Sequence, residues 1–216
     1  MAPSDRQVTT STSAAGARRN PRVKGRAREA EILAAARDLL AGNGYEQFTL
    51  RNVAERVGIR MSHLQYYFAT KGDLVRGLLA SVAADYSAQT EQVLAQVPDT
   101  PTARFMAWID FLLGDCWDPR TRHFFIQLWG LVESEDAYTG RLLQQFYATD
   151  ISEILQLLHD LSPHLGSRLL GQRAAIIAGL IEGMMLMVGN ESDDAESRKA
   201  LLTETRKQIF RMATEA

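Results

Sequence analysis

From residue 26 onward the apolar residues recur at intervals of three and four, and no stretch sustains the alternation of a half-buried strand. The pattern predicts an all-α protein. In RAREAEILAAARDLLAGNG, Ile32, Leu33, Ala36, Leu39 and Leu40 form one stripe, which Gly42-Asn43-Gly44 brings to a left-handed stop. Thr49 is placed to cap a second helix with Val53, Ala54 and Val57 inward, Gly58 turns the chain, and a short third helix is expected from about Arg60 to Phe68. Thr70 followed by Asp73 reads as a capping box opening a long fourth helix through Leu74, Leu78, Val82 and Tyr86 to about Gln96, with Pro98 and Pro101 beyond it. Further helices are expected at about 101–116, 119–134, 138–161, 167–189 and 196–213, about nine in all. Breaks fall at Asp118-Pro119, Glu135-Asp136, Ser162-Pro163 with Gly166, and the acidic loop Asn190 to Asp194.

Charge changes this picture more than composition does. The 216 residues, 46% apolar and 23% charged, are ordinary for a globular chain with a sizeable core. Residues 1–71, however, hold 12 Lys+Arg against 6 Asp+Glu, leaving 12 against 20 for residues 72–216. A basic end on an acidic body suits a polyanion partner that touches only that end. No uncharged apolar run reaches the 18 to 20 residues of a membrane helix, and the N-terminus lacks an apolar signal core, so no membrane partner is expected and the chain is read as cytoplasmic. One cysteine, Cys116, excludes an intrachain disulfide and offers no thiolate cluster.

Residues 1–25 are rich in Ser, Thr, Ala and Arg and almost lack large apolar residues, so a disordered basic tail is expected there. An organellar transit peptide has a similar composition, but this leader lacks an apolar face. Arg18, Arg19, Arg22, Lys24, Arg26 and Arg28 form a run with no acidic residue between them, able to follow a minor groove.

Residues 49–74, TLRNVAERVGIRMSHLQYYFATKGDL, hold two short amphipathic segments around one glycine. That is the layout of a helix-turn-helix, in which one helix braces against the backbone and the second enters the major groove. Ala54 is small where the helices would cross, Gly58 sits where the turn wants positive φ, and Ile59 and Leu64 can anchor the pair to the first helix. Met61, Ser62, His63, Gln65 and Tyr66 are then left to face outward, and their side chains suit base edges and phosphates. Blander roles exist: Phe68 and Tyr67 can serve as packing, Met61 as core filler, and Arg51 and Arg60 as solvated charges. His63 has no acidic or histidine neighbour at metal spacing, so neither catalysis nor metal binding is indicated.

With these residues on the page, the segment 28–74, with GNGYEQFTLRNVAERVGI and then SHLQYYFATKGDL, resembles the N-terminal domain of the TetR family of one-component transcriptional regulators. The resemblance implies an all-helical homodimer with a three-helix DNA-binding domain, here residues 26–72, and a C-terminal effector-binding and dimerisation domain, here 73–216. It implies a palindromic double-stranded DNA operator, a small-molecule effector that releases it, usually repression, and no cofactor or metal. Carried over to this chain, Thr49 is the phosphate-contacting cap, and Arg51 approaches a base or phosphate. Met61, Ser62 and His63 open the recognition helix, Tyr66 and Tyr67 face phosphates, and Lys71 caps against the backbone. The chain departs at Gln65, where Tyr is commoner, and at Arg60, where a Ser or Thr usually caps the helix.

In the C-terminal part, Trp108, Phe111, Leu112, Phe124, Phe125, Trp129, Phe146 and Tyr147 bring enough aromatics into three helices to line a cavity. Gln127, Glu133 and above all Glu182, in AAIIAGLIEGMMLMV, are polar within apolar runs. A buried carboxylate is costly without a partner, so Glu182 pairs, reaches solvent, or meets a ligand. The expected effector residues are Trp108, Phe111, Leu112, Phe125, Gln127, Trp129, Glu133, Phe146 and Glu182. The expected dimer face is Ala175, Gly179, Leu180, Gly183, Met187 and Ile209, on the last two helices, though the glycine stripe could instead face a helix of the same subunit. An enzyme reading finds no nucleophile motif, phosphate-cradling loop or metal-spaced set. A DNA-associated helical scaffold without effector is the remaining alternative.

Overall fold

The computed structural model describes residues 21–133, 137–187 and 194–215. Among these, nine α-helices and one 3₁₀ turn make up the regular structure, and no strand occurs. The helices are α1 Pro21–Asn43, α2 Leu50–Val57, α3 Met61–Tyr67, α4 Lys71–Leu94, α5 Pro101–Asp115, α6 Pro119–Glu133, α7 Ala137–Leu161, α8 Ser167–Met187 and α9 Ala195–Thr214. The 3₁₀ turn, Tyr45–Gln47, lies between α1 and α2. Helix α1 starts at Pro21, where a fixed φ suits a first turn, so residues 21–25 are helix rather than the tail expected there. The rest of that tail, the break at Glu135-Asp136 and, of the expected loop from Asn190 to Asp194, all but Asp194 lie outside the described residues.

The ends of the elements follow local chemistry. Gly44, at φ +83°, ends α1, and Gly58, at φ +73°, makes the turn between α2 and α3. Thr49 Oγ1 accepts from Asn52 N at 3.1 Å to cap α2. The reciprocal Thr70–Asp73 pair closes the capping box of α4. Arg60 stands at the cap of α3 without a side-chain bond, as its chemistry leads one to expect.

Helices α1 to α3 enclose a small core of Ile32, Ala36, Leu40, Phe48, Val53 and Leu64, and α4 joins it to the larger bundle through Leu74 and Leu78. In that bundle α7 packs most extensively on α8, and α4, α5 and α9 complete the layer. Helix α6 lies against α1, so the two parts of the molecule meet along α4 and along α6.

Helix α8 qualifies one expectation. It is long and apolar enough, by length and composition, to cross a membrane, although Arg173 and Glu182 interrupt it. Its buried face, with Leu170, Ala174, Ile177 and Ile181, belongs to the bundle core. Its opposite face leaves Ile176 55%, Leu186 59% and Met187 78% exposed.

Candidate DNA-binding surface and effector cavity

The recognition helix α3 is held by Leu64, which is fully buried, and by Phe68 at its C-cap, so its other side chains are turned outward. Arg60, Met61, Ser62, His63, Gln65 and Tyr66 are exposed, with Tyr66 at 82%. Met61 therefore lies at the surface, and Phe68 in the core. Tyr67 is half-buried, with its ring edge-on to Tyr66 at 5.3 Å. Thr49 and Lys71 are half-buried at the N-termini of α2 and α4, where backbone N–H groups favour a phosphate. Arg51 is exposed but shares its charge with Glu55 at 3.0 Å. All ten of these residues fall on α2, α3 or the ends that flank them, as a DNA-reading surface requires.

Within the C-terminal bundle a cavity of about 60 Å³ is lined by Tyr86 of α4, Trp108 and Leu112 of α5, Phe125 of α6, Phe146 and Tyr147 of α7, and Glu182 of α8. Of the expected residues, Trp108, Leu112, Phe125, Phe146 and Glu182 line it. Phe111 and Trp129 do not. Phe111 sits behind Tyr86, with ring centroids 6.0 Å apart, and Trp129 acts through Tyr147. Gln127 is also a correction. It points the other way along α6, where its Oε1 accepts from Tyr45 N at 3.0 Å, so its polar group serves the DNA-binding domain. The side chain of Glu133 lies outside those described.

Sequence reasoning missed Asp150 and Glu153, which line the cavity from α7. The signal was present: Tyr147, Asp150 and Ile154 are spaced to share one face, but Asp150 looked like an ordinary solvated charge. Trp129 Nε1 donates to Tyr147 Oη at 2.5 Å, and Tyr147 Oη donates to Glu182 Oε2 at 3.2 Å. Burial pushes the Glu182 carboxyl up to about 7, against a smaller lowering by the Tyr147 hydroxyl. Burial, then the nearby Glu182 and Glu153, pushes Asp150 to about 7 as well. Tyr86, bonded to Asp115, and Tyr147 are held protonated by burial and by these acids. Cys116 is buried, donates to Leu112 O and Ile181 O, and has its thiol pushed up to about 12 by burial, so it is an inert packing residue.

A pH dependence of stability follows. Both carboxyls bind protons more tightly folded than unfolded, so their stabilising contribution is complete below about pH 4 and is lost as pH rises through about 7. At about 1.4 kcal/mol for each unit by which a folded pKa is raised, the loss amounts to several kcal/mol, enough to lower Tm by several degrees or more in a chain of this size. Thermal denaturation between pH 5 and 8 should show Tm falling, and Asp150→Asn with Glu182→Gln should flatten that fall. An equal fall in the double variant would remove these two groups as its cause.

Two contacts tie the cavity to the DNA-binding surface. On α6, Phe125 lines the cavity while Gln127 and Gly130 hold the 3₁₀ turn; a Cβ at Gly130 would stand 2.8 Å from the Tyr45 ring. On α4, Tyr86 lines the cavity, while Gly77 lies so close to Phe68 that a Cβ there would meet its ring at 2.6 Å. Both positions need glycine for close approach.

A helix-turn-helix on a basic end, joined through α4 and α6 to an acidic bundle with a partly open cavity, has the layout of a DNA-binding protein. Residues 32–78, the stretch that holds the helix-turn-helix, match the model of the bacterial regulatory proteins, tetR family. No curated protein matches the chain. Solved structures share the fold. A TetR-family transcriptional regulator from Agrobacterium tumefaciens is 19% identical, with a TM-score of 0.66 over 85% of this chain and 98% of that one. A transcriptional regulator from Saccharomonospora viridis in complex with choline is 16% identical, with a TM-score of 0.66 over 84% and 96%. The fatty acid degradation regulator FadR from Bacillus halodurans is 15% identical, with a TM-score of 0.63 over 89% and 96%.

Proposed function

We propose that the protein is a cytoplasmic repressor that binds a palindromic operator as a homodimer and leaves it when a small molecule enters the C-terminal cavity. The observation that carries the proposal is the linkage just described, in which α4 and α6 each touch the cavity at one end and the DNA-binding domain at the other. A ligand that changed the seat of Phe125 or Tyr86 would move the 3₁₀ turn or the base of α3, and with them the spacing of the two recognition helices. Structures of the same fold with choline bound, or described as a fatty acid degradation regulator, support a ligand-responsive body. A scaffold without effector has no use for the buried carboxylates or the cavity they line.

A mobility-shift assay against the DNA upstream of the protein's own gene tests the reading. A single shifted species on a short palindromic duplex is expected. Tyr66→Ala should weaken it by about tenfold or more, since one phosphate bond is lost in each subunit, while the melting temperature stays unchanged because the side chain is exposed. No shift on any upstream fragment, or a Tyr66→Ala variant of normal affinity, would contradict the assignment of this surface.

A further inference from the structure

Three acidic side chains, Asp150, Glu153 and Glu182, line the cavity together with Tyr86, Trp108, Phe125, Phe146 and Tyr147, and among the described residues its lining holds no Lys, Arg or His. We propose that the effector is an organic cation, an amine or quaternary ammonium with an apolar body, held between the aromatic rings and the carboxylates of Asp150 and Glu182. This rests on the reading of the cavity as the effector site and names the class of ligand that site takes.

The aromatic cavity makes the site, and the carboxylates select its occupant. A neutral apolar ligand would leave these carboxyl groups facing hydrocarbon, and an anion would add a further like charge. A cation offsets both costs, and the faces of Tyr, Trp and Phe rings attract it in addition. The carboxylate of Glu182 is aimed rather than loose, because the Trp129–Tyr147–Glu182 chain fixes one of its oxygens. Asp150 lines the same space and has no hydrogen-bond or ion-pair partner among the described residues. Its carboxylate is therefore open to a ligand that enters this space.

The other titratable groups described around Glu182 are Tyr147, Asp150 and Glu153 on α7, Cys116 just after α5, and Tyr86 on α4 with its partner Asp115 at the end of α5, all acidic or neutral. Arg37 of α1 acts on Tyr86 from outside the lining. A metal ion does not fit, since no three His, Cys, Asp or Glu among the described residues are grouped to hold one. The cavity is also small for a bulky drug-like molecule, which favours a compact cationic head.

The test is calorimetry on the full-length protein with four probes of similar size: benzyltrimethylammonium, phenethylammonium, benzyl alcohol and phenylacetate. Operator release by each is followed in parallel by fluorescence anisotropy. One or both cations should bind at least about tenfold more tightly than the alcohol, phenylacetate should be weakest, and binding at pH 7 should release protons as the carboxyls ionise. Preference for the quaternary ion would assign recognition mainly to the rings, and preference for the primary amine to hydrogen bonds from its N–H groups; either supports the proposal. Glu182→Gln and Asp150→Asn should remove the preference for cations while leaving the alcohol unchanged, a pattern that general unfolding would not give. Alcohol or phenylacetate binding as tightly as the cations, and releasing DNA, would overturn the cation and keep the effector site. Cations that bind tightly but leave the operator complex intact would overturn the effector reading and keep the cation site. Binding of none of the four would overturn both.

Discussion

Replacing Gly179 and Gly183 with leucine is expected to turn the protein into a monomer and to weaken operator binding by at least about a hundredfold, the loss of a second linked site. Within α8 these residues recur with Ala175 at four-residue spacing, and interior glycine costs about 1 kcal/mol relative to alanine. Something must offset that cost. It is not another of the described helices of the same subunit, because a Cβ at either glycine meets nothing within 4 Å. The stripe instead lies on the outer side of α8, in the company of exposed Ile176, Leu186 and Met187, where the backbone of a second copy could approach closely. Leucine there has room in the isolated subunit, so the fold should survive while the seam is blocked. Sedimentation should show the monomer with an unchanged helical spectrum. A dimer with normal DNA affinity would place the interface elsewhere. Ile209 is not part of this face: it is fully buried, because its stripe on α9 with Thr205 packs into the subunit's own bundle, including α5.

How much of this was legible beforehand varied with the range of the interactions involved. Helix ends were local chemistry, and Gly44, Gly58, Thr49, Thr70 and Asp73 placed them correctly in the chain. The outward residues of α3 were legible in part: Leu64 and Phe68 are its buried anchors, while Met61, which could also have filled the core, is exposed, and Tyr67 is half-buried. The cavity was harder. Five of the residues expected to meet an effector line the cavity, because a large aromatic or a carboxylate in an apolar run announces itself. Gln127 misled because a polar residue in such a run can satisfy a distant backbone as readily as a ligand, and its partner Tyr45 is 82 positions away in the chain. Asp150 escaped because a carboxylate beside Thr149, Ser152 and Glu153 reads as part of a solvated face, and only packing against α8 and α5 encloses it. The 3₁₀ turn also went unread: three residues are too few to carry a period.

The salt dependence of affinity for a full palindrome, set beside that for a single half-site, tests the central claim most directly. Thr49, Tyr66, Tyr67, Lys71 and Arg60 are proposed to face phosphates in each subunit, and two-fold symmetry doubles them. Of these, Lys71 and Arg60 carry charge, so the dimer would neutralise about four phosphates; at about −0.9 each in the slope of log K against log salt, the full site should lose on the order of a hundredfold in affinity between about 50 and 200 mM salt. The half-site should bind far more weakly and with about half that slope. A flat salt response, or a half-site bound as tightly and with the same slope as the palindrome, would contradict a dimeric regulator reading DNA through α3.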